Sequence, residues 1–185
     1  MTKYDLYKLL KEELKNGSGD LVTRNSGQVI RERIEKDIAK EKDGEVIALD
    51  FSKIEIIDYS CADEIVAKLI SRLQSGEYGD KYIVLSGLNE NQKENIEVAL
   101  ERKDLAVMVE MKDGKKILIG SLNNYLQETL NFISKKGKIT ANALCLFGVF
   151  QLLAYCDLMS CLNQFCYVCL RGEVREAAHR NRLFF

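Results

Sequence analysis

The chain has 185 residues, room for one domain or for a domain with a small module. Apolar residues make up 46% and charged residues 30%, which excludes an extended disordered chain and provides for a packed core. A net charge of −1 gives no global reason to expect nucleic-acid binding.

Charge is uneven along the chain. Residues 137–185 carry +2 and the first 136 residues −3. The amino end is charged and amphipathic rather than basic and then apolar. This predicts a cytoplasmic, reducing location, where the six cysteines are thiols or ligands rather than disulfides.

In chain order, residues 3–15 read as a helix, with Leu6, Leu9, Leu10 and Leu14 near helical spacing. The Asn-Gly-Ser-Gly run at 16–19 ends it. Residues 21–23 read as a short strand, and Ser26 as the cap of a helix carrying Val29, Ile30, Ile34 and Ile38. Residues 46–51 are a mostly apolar run that suits a central buried strand. After Ile54 and Ile57 comes a turn, and then a regular helix. Its stripe is Ala62, Ile65, Val66, Leu69, Ile70 and Leu73, with Asp63, Glu64, Lys68 and Arg72 elsewhere. Residues 82–87 read as a strand, 89–102 as a helix, and 106–111 with 115–119 as a hairpin about Asp113-Gly114. Alternating strands and helices on short links predict an α/β layer fold.

From Leu122 the pattern becomes helix after helix. Leu122, Tyr125, Leu126, Thr129, Leu130 and Ile133 form one stripe, Thr140 can cap a short helix, and a further helix fits residues 157–170. Residues 173–175 and 182–184 can pair as a terminal hairpin. Between residues 139 and 170 the only charge is Asp157, and that length can span a bilayer. Asn142, Gln151, Asp157, Ser160, Asn163 and Gln164 interrupt it, which favours a buried helical module over a membrane span.

The most informative residues are Ala48-Leu49-Asp50-Phe51-Ser52 followed by Ile57-Asp58-Tyr59-Ser60-Cys61-Ala62-Asp63-Glu64-Ile65. Together with the preceding amphipathic helix and the strand Ile83-Val84-Leu85-Ser86-Gly87, they resemble the STAS family over roughly residues 21–111. That family includes bacterial anti-sigma factor antagonists and STAS-like domains of unknown function. In the antagonists the turn reads Asp-Ser-Ser-Gly, and the second serine accepts phosphate from a partner kinase. The resemblance therefore implies that Ser60 is a phosphoacceptor in a switch turn with Asp58, Tyr59 and Cys61. Tyr59 and Cys61 depart from the antagonist pattern, and Cys61 puts a side chain where the family's glycine leaves backbone bare. Ala62-Asp63-Glu64 is closer to the STAS-like group. A phosphate on Ser60 would place negative charge at a helix start, where it is tolerated, and would repel a docked partner. The alternative is that Ser60, with Asp63 three residues on, is a near capping box, and that Asp58 is a turn former.

The order of helices and terminal hairpin also resembles a winged helix. Residues 138–144 are similar to the second helix of bacterial winged-helix regulators, and Leu162-Asn163-Gln164 with Glu173-Val174-Arg175-Glu176 to the third helix and first wing strand. In that resemblance Ser160, Asn163 and Gln164 face the major groove, while Arg175, Arg180 and Arg182 touch phosphates. The recognition helix, however, has no Lys or Arg before Arg171, so it is poorly equipped for DNA. Cys156, Cys161, Cys166 and Cys169 lie close together and could ligate a metal or cluster. Set among Leu, Phe and Tyr, they read better as small buried hydrophobes. The unusual Cys and apolar content of this stretch also fits a shifted reading frame.

His179 is the only histidine, and no phosphate loop or nucleophile elbow follows a strand. Asp63 and Glu64 are adjacent on a helix and are expected to point about 100° apart, too divergent to act as a facing pair. The expectation is a non-enzymatic bacterial regulatory protein with no cofactor. Its α/β, STAS-like sheet has helices on one side, plus a small, mostly helical, winged-helix-like module. The expected parts are an N-terminal helix (1–19), a STAS-like domain (20–121) and the winged-helix-like module (122–185). Its expected partner is a protein, a kinase or anti-sigma-like regulator. The alternatives are a DNA-binding regulator whose STAS-like domain senses or forms a homodimer, and a Cys-cluster redox or metal sensor.

Overall fold

Thr2–Asp5 forms strand β1, and Leu6–Leu14 the helix α1. The expected helix start at residue 3 is thus displaced. Thr and Tyr favour an extended backbone, and β1 pairs in parallel with Val46–Asp50 (β3), in register Thr2 to Ile47. Asp5 ends the strand and accepts the backbone N–H of Lys8 at 3.1 Å, which starts the helix. The computed structural model describes residues 1–14 and 19–122, with single positions 124, 127 and 128 beyond them.

Asp20–Leu21 is strand β2, and α2 runs over Arg24–Ile38. Its cap is Thr23 rather than Ser26. Thr23 accepts from the Ser26 backbone, while the Ser26 hydroxyl receives the Thr23 N–H, a reciprocal box shifted three residues from the expected cap. The short strand β4 (Ile56–Ile57) pairs in parallel with β2. Then comes one continuous helical segment in three parts: α3 (Tyr59–Ala62), a π-helical turn (Asp63–Ala67) and α4 (Lys68–Gln74). β5 (Tyr82–Ser86), α5 (Glu90–Glu101), β6 (Ala106–Glu110) and β7 (Lys116–Gly120) complete the described elements.

The main sheet has the order β1-β3-β5-β6-β7. β1–β3, β3–β5 and β5–β6 are parallel, and β6–β7 is the antiparallel hairpin expected about Asp113-Gly114. Strand residues alternate between faces. Ile47, Leu49, Ile83, Leu85, Val107 and Val109 point to one face, where Leu10, Ile34, Ile65, Ile70 and Leu100 from the helices join them in a single core. Each such side chain contributes about 1.5–3 kcal/mol when fully buried. Among the described residues, the helices of this core therefore pack on one face of an α/β sheet, consistent with a STAS-like fold. Gly87 turns the chain out of β5 at φ +72°, and a Cβ there would lie 2.7 Å from the Ser52 nitrogen, so only glycine fits.

β1 and α1 belong to the same compact unit, Met1–Leu122, as the rest of this sheet, and Asn123–Phe185 forms a second unit. Among the described residues no helix is long and apolar enough to cross a membrane.

Candidate functional site

Two chain segments meet at the turn. β2 leads into Thr23 and the start of α2, while β4, its pairing partner, leads into Asp58 and the start of α3. The Asp58 N–H donates to the Leu21 carbonyl at 2.9 Å, continuing the strand pair up to the helix. Both helix starts are therefore held side by side.

Asp58 is the cap of α3. Its backbone is extended (φ −83°, ψ 167°), and its carboxylate accepts the Cys61 N–H at 2.8 Å. The Ser60 hydroxyl donates to the same carboxylate, at 2.9 Å from each oxygen. The anticipated near capping box of Ser60 and Asp63 is not what starts this helix. An aspartate reaches back to the amide three residues on, whereas Ser60 already lies inside the helix. Tyr59 lies under Arg102, whose guanidinium sits 4.7 Å from the ring centre and donates to the phenol oxygen at 3.4 Å.

Cys61 turns inward. It is fully buried, and its thiol donates to the Thr23 carbonyl at 2.8 Å and lies 3.6 Å from the Ser26 hydroxyl. Burial pushes its pKa up to about 11, so it is a packed thiol and not a nucleophile. Gly27 makes room for it: a Cβ on Gly27 would lie 3.0 Å from Glu64 Cβ and 3.1 Å from Cys61 Cα. The missing glycine of the turn is thus compensated by a glycine on the facing helix.

The π-helical turn brings in residues that sequence spacing had assigned elsewhere. Asp63 and Glu64 are buried, at 6% and 2% exposure. They do not diverge without consequence, because one nitrogen of Arg24 reaches both, at 3.0 Å to Asp63 and 3.2 Å to Glu64. Lys103 sits 2.6 Å from the other Asp63 oxygen. Glu64 also meets Lys68 and, at 3.5 Å, the buried Arg31. Arg31 in turn holds Glu35 at 2.6 Å, which Arg72 approaches at 2.9 Å. Burial pushes the Asp63 carboxyl up, but Lys103 and Arg24 outweigh it and hold the group below the usual carboxylate range. A π turn widens the helix by one residue and is often found at functional sites.

Asp58, Tyr59, Ser60 and Cys61 form the turn, and Arg24, Arg31, Asp63, Glu64, Arg102 and Lys103 stand around it. The sequence held one signal for the added group, the pairs Arg31–Glu35 and Glu64–Lys68 at helical i,i+4 spacing. The remaining candidates, Ser160, Asn163, Gln164, Arg175, Arg180, Arg182, Cys156, Cys161, Cys166 and Cys169, lie outside the described residues, as do the expected winged-helix elements. Among the described residues no group of three His, Cys, Asp or Glu side chains could hold a metal ion.

No curated protein and no solved structure matches the chain. A family model described as "STAS-like domain of unknown function (DUF4325)" matches residues 26–93, from the first turn of α2 to the first turn of α5. That stretch contains β3, the Asp58 turn and the π-helical segment, so the match to a STAS-like domain falls on the part of the chain that builds this site.

Proposed function

We propose that the chain is a non-enzymatic regulatory module that docks a protein partner on the Asp58 turn and is switched by a phosphate on Ser60. The observation that carries this reading is the division of labour at the helix start. Asp58 does the capping, so the partly buried Ser60 hydroxyl serves the helix start only through its bond to Asp58, the contact that a phosphate would replace. Arg24, Arg102 and Lys103 all make contacts within the segment Tyr59–Glu64, and a dianion there would draw on these cations against the carboxylates of Asp58, Asp63 and Glu64. Ile56 in β4 and Val22 just after β2, exposed at 54% and 50%, offer a partner apolar contacts where the strand pair enters the turn. Residues 123–185, which resemble a winged helix in sequence, are the part of the chain to which such a signal would pass.

The test is phosphopeptide mass spectrometry on the native protein, paired with recovery of its binding partners by the wild-type chain and by Ser60→Ala. The expected result is phosphate on Ser60 and a changed set or affinity of partners. An unmodified Ser60 together with unchanged binding overturns the switch.

A further inference from the structure

We propose that a phosphate on Ser60 takes Arg24 away from Asp63 and Glu64, so that the switch acts by moving an exposed guanidinium off two buried carboxylates. The proposal rests on the reading of Ser60 as a phosphoacceptor and names what the phosphate does inside the protein.

Placement carries the argument. Asp63 and Glu64 follow Ser60 by three and four residues, the spacings at which helical side chains are neighbours. Arg24 directly follows Thr23, whose carbonyl accepts the Cys61 thiol, so its backbone is fixed beside the same helical turn. Its side chain is 51% exposed, and a single nitrogen serves two buried carboxylates. Arg31, the other guanidinium on Glu64, is 6% exposed and already committed to Glu35. Arg24 is therefore the movable partner and Arg31 the fixed one.

The covalent step is phosphoryl transfer from a nucleoside triphosphate bound by a partner kinase. A bond forms between Ser60 Oγ and the γ-phosphorus, and the bond to the bridging oxygen breaks to release a nucleoside diphosphate. The hydroxyl proton passes to Asp58, whose carboxylate already accepts it as a hydrogen bond. The product carries about −1.5 to −2 charges and can accept a guanidinium through two parallel hydrogen bonds, where Arg24 now shares one nitrogen between two carboxylates. Once Arg24 leaves, Asp63 keeps Lys103, and Glu64 keeps Lys68 and Arg31. The seam between α2 and the π turn loses the contact that joined both acids to the first residue of α2.

The experiment uses the full chain with phosphoserine installed at position 60 by an expanded genetic code, and follows the phosphorus NMR shift against pH. A free phosphoserine titrates near 6. Asp58, Asp63 and Glu64 push the midpoint up, and Arg24 on the phosphate pulls it down; with Arg24 transferred, the expected midpoint lies about half a pH unit or more below 6. Arg24→Gln should return it most of the way, Arg24→Lys should keep part of the depression, and Arg33→Gln on the outer face of α2 should leave it unchanged. A midpoint near 6 in the unaltered chain overturns the exchange whatever the variants do, as does a depressed midpoint that Arg24→Gln, still folded by circular dichroism, fails to move. Finding no phosphate on Ser60 in cells overturns the underlying reading of the switch instead, so the two failures are distinguishable.

Discussion

Asp58 and Ser60 sit two residues apart at one helix start and divide two duties between them. Asp58 holds the amide of Cys61 and so begins the helix, while Ser60 only donates to Asp58. Asp58→Ala should therefore cost about 1 kcal/mol, the worth of an N-cap. Ser60→Ala should stay within about 0.5 kcal/mol of the parent. Urea unfolding of the two variants measures both, and equal losses would mean that Ser60 shares the cap. The sequence located this turn from the Ile57-Asp58-Tyr59-Ser60 run. It could not divide the duties, because Asp and Ser are both good caps and only the backbone decides which lies outside the helix. The same ambiguity hid Thr23, whose box partner Ser26 was itself a credible cap.

The helical segment after Asp58 shows what an element can conceal. Its apolar stripe is legible because Ala62, Ile65, Val66, Leu69, Ile70 and Leu73 recur at helical spacing, and all are buried. The π turn at Asp63–Ala67 is not legible, since one widened turn leaves that stripe continuous. Nor is the burial of Asp63 and Glu64, because their partners Arg24 and Lys103 lie some 40 residues away in sequence and only the tertiary fold brings them close. Gly27 lets α2 approach this segment. In an exposed helix Gly→Ala would gain about 1 kcal/mol. Here the added methyl meets Glu64 and Cys61 at 3.0–3.1 Å, so Gly27→Ala should instead destabilise by about 1–3 kcal/mol in chemical denaturation. A stabilised Gly27→Ala would show that the two helices can separate freely. β1 escaped notice for a related reason. Its four residues are only partly buried, and what makes them a strand is pairing with β3.

At the scale of the whole molecule, ion pairs set a pH profile. Asp5 is held below the usual carboxylate range by Lys53 and Asp37 by Lys40, while Asp50 and Asp63 are held there, against burial, by Lys3 and by Lys103 with Arg24. Each binds its proton more weakly when folded, so its contribution is present above about pH 4 and lost as the pH falls through the folded value. Cys61 has the opposite sign. Its thiol, pushed up to about 11, is neutral in the fold when the unfolded thiol has begun to ionise, so its contribution is lost as the pH climbs from 9 towards 11. Calorimetry should find a plateau between about pH 5 and 8 with a fall on either side, and Asp63→Asn should make the acid limb shallower. Stability that rose below pH 4 would contradict the ion-pair geometry.

The pairing order of the sheet also bears on how the protein is made. Three of the four strand contacts are parallel and need a crossover, and Thr2 meets Ile47 only after α1, β2 and α2 have intervened. β6 and β7, by contrast, close across a short turn, an event of about 1–10 μs. Translation runs from the amino side, so β1 emerges before its partner β3 and cannot make that pairing while α1, β2 and α2 are translated. Throughout that interval its backbone amides depend on water, and Lys3 and Asp5, alternating with Thr2 and Tyr4, keep that waiting strand from being a purely apolar edge. In this sheet the strand that is translated first waits for its partner, and the β6–β7 pair forms almost as soon as it is translated.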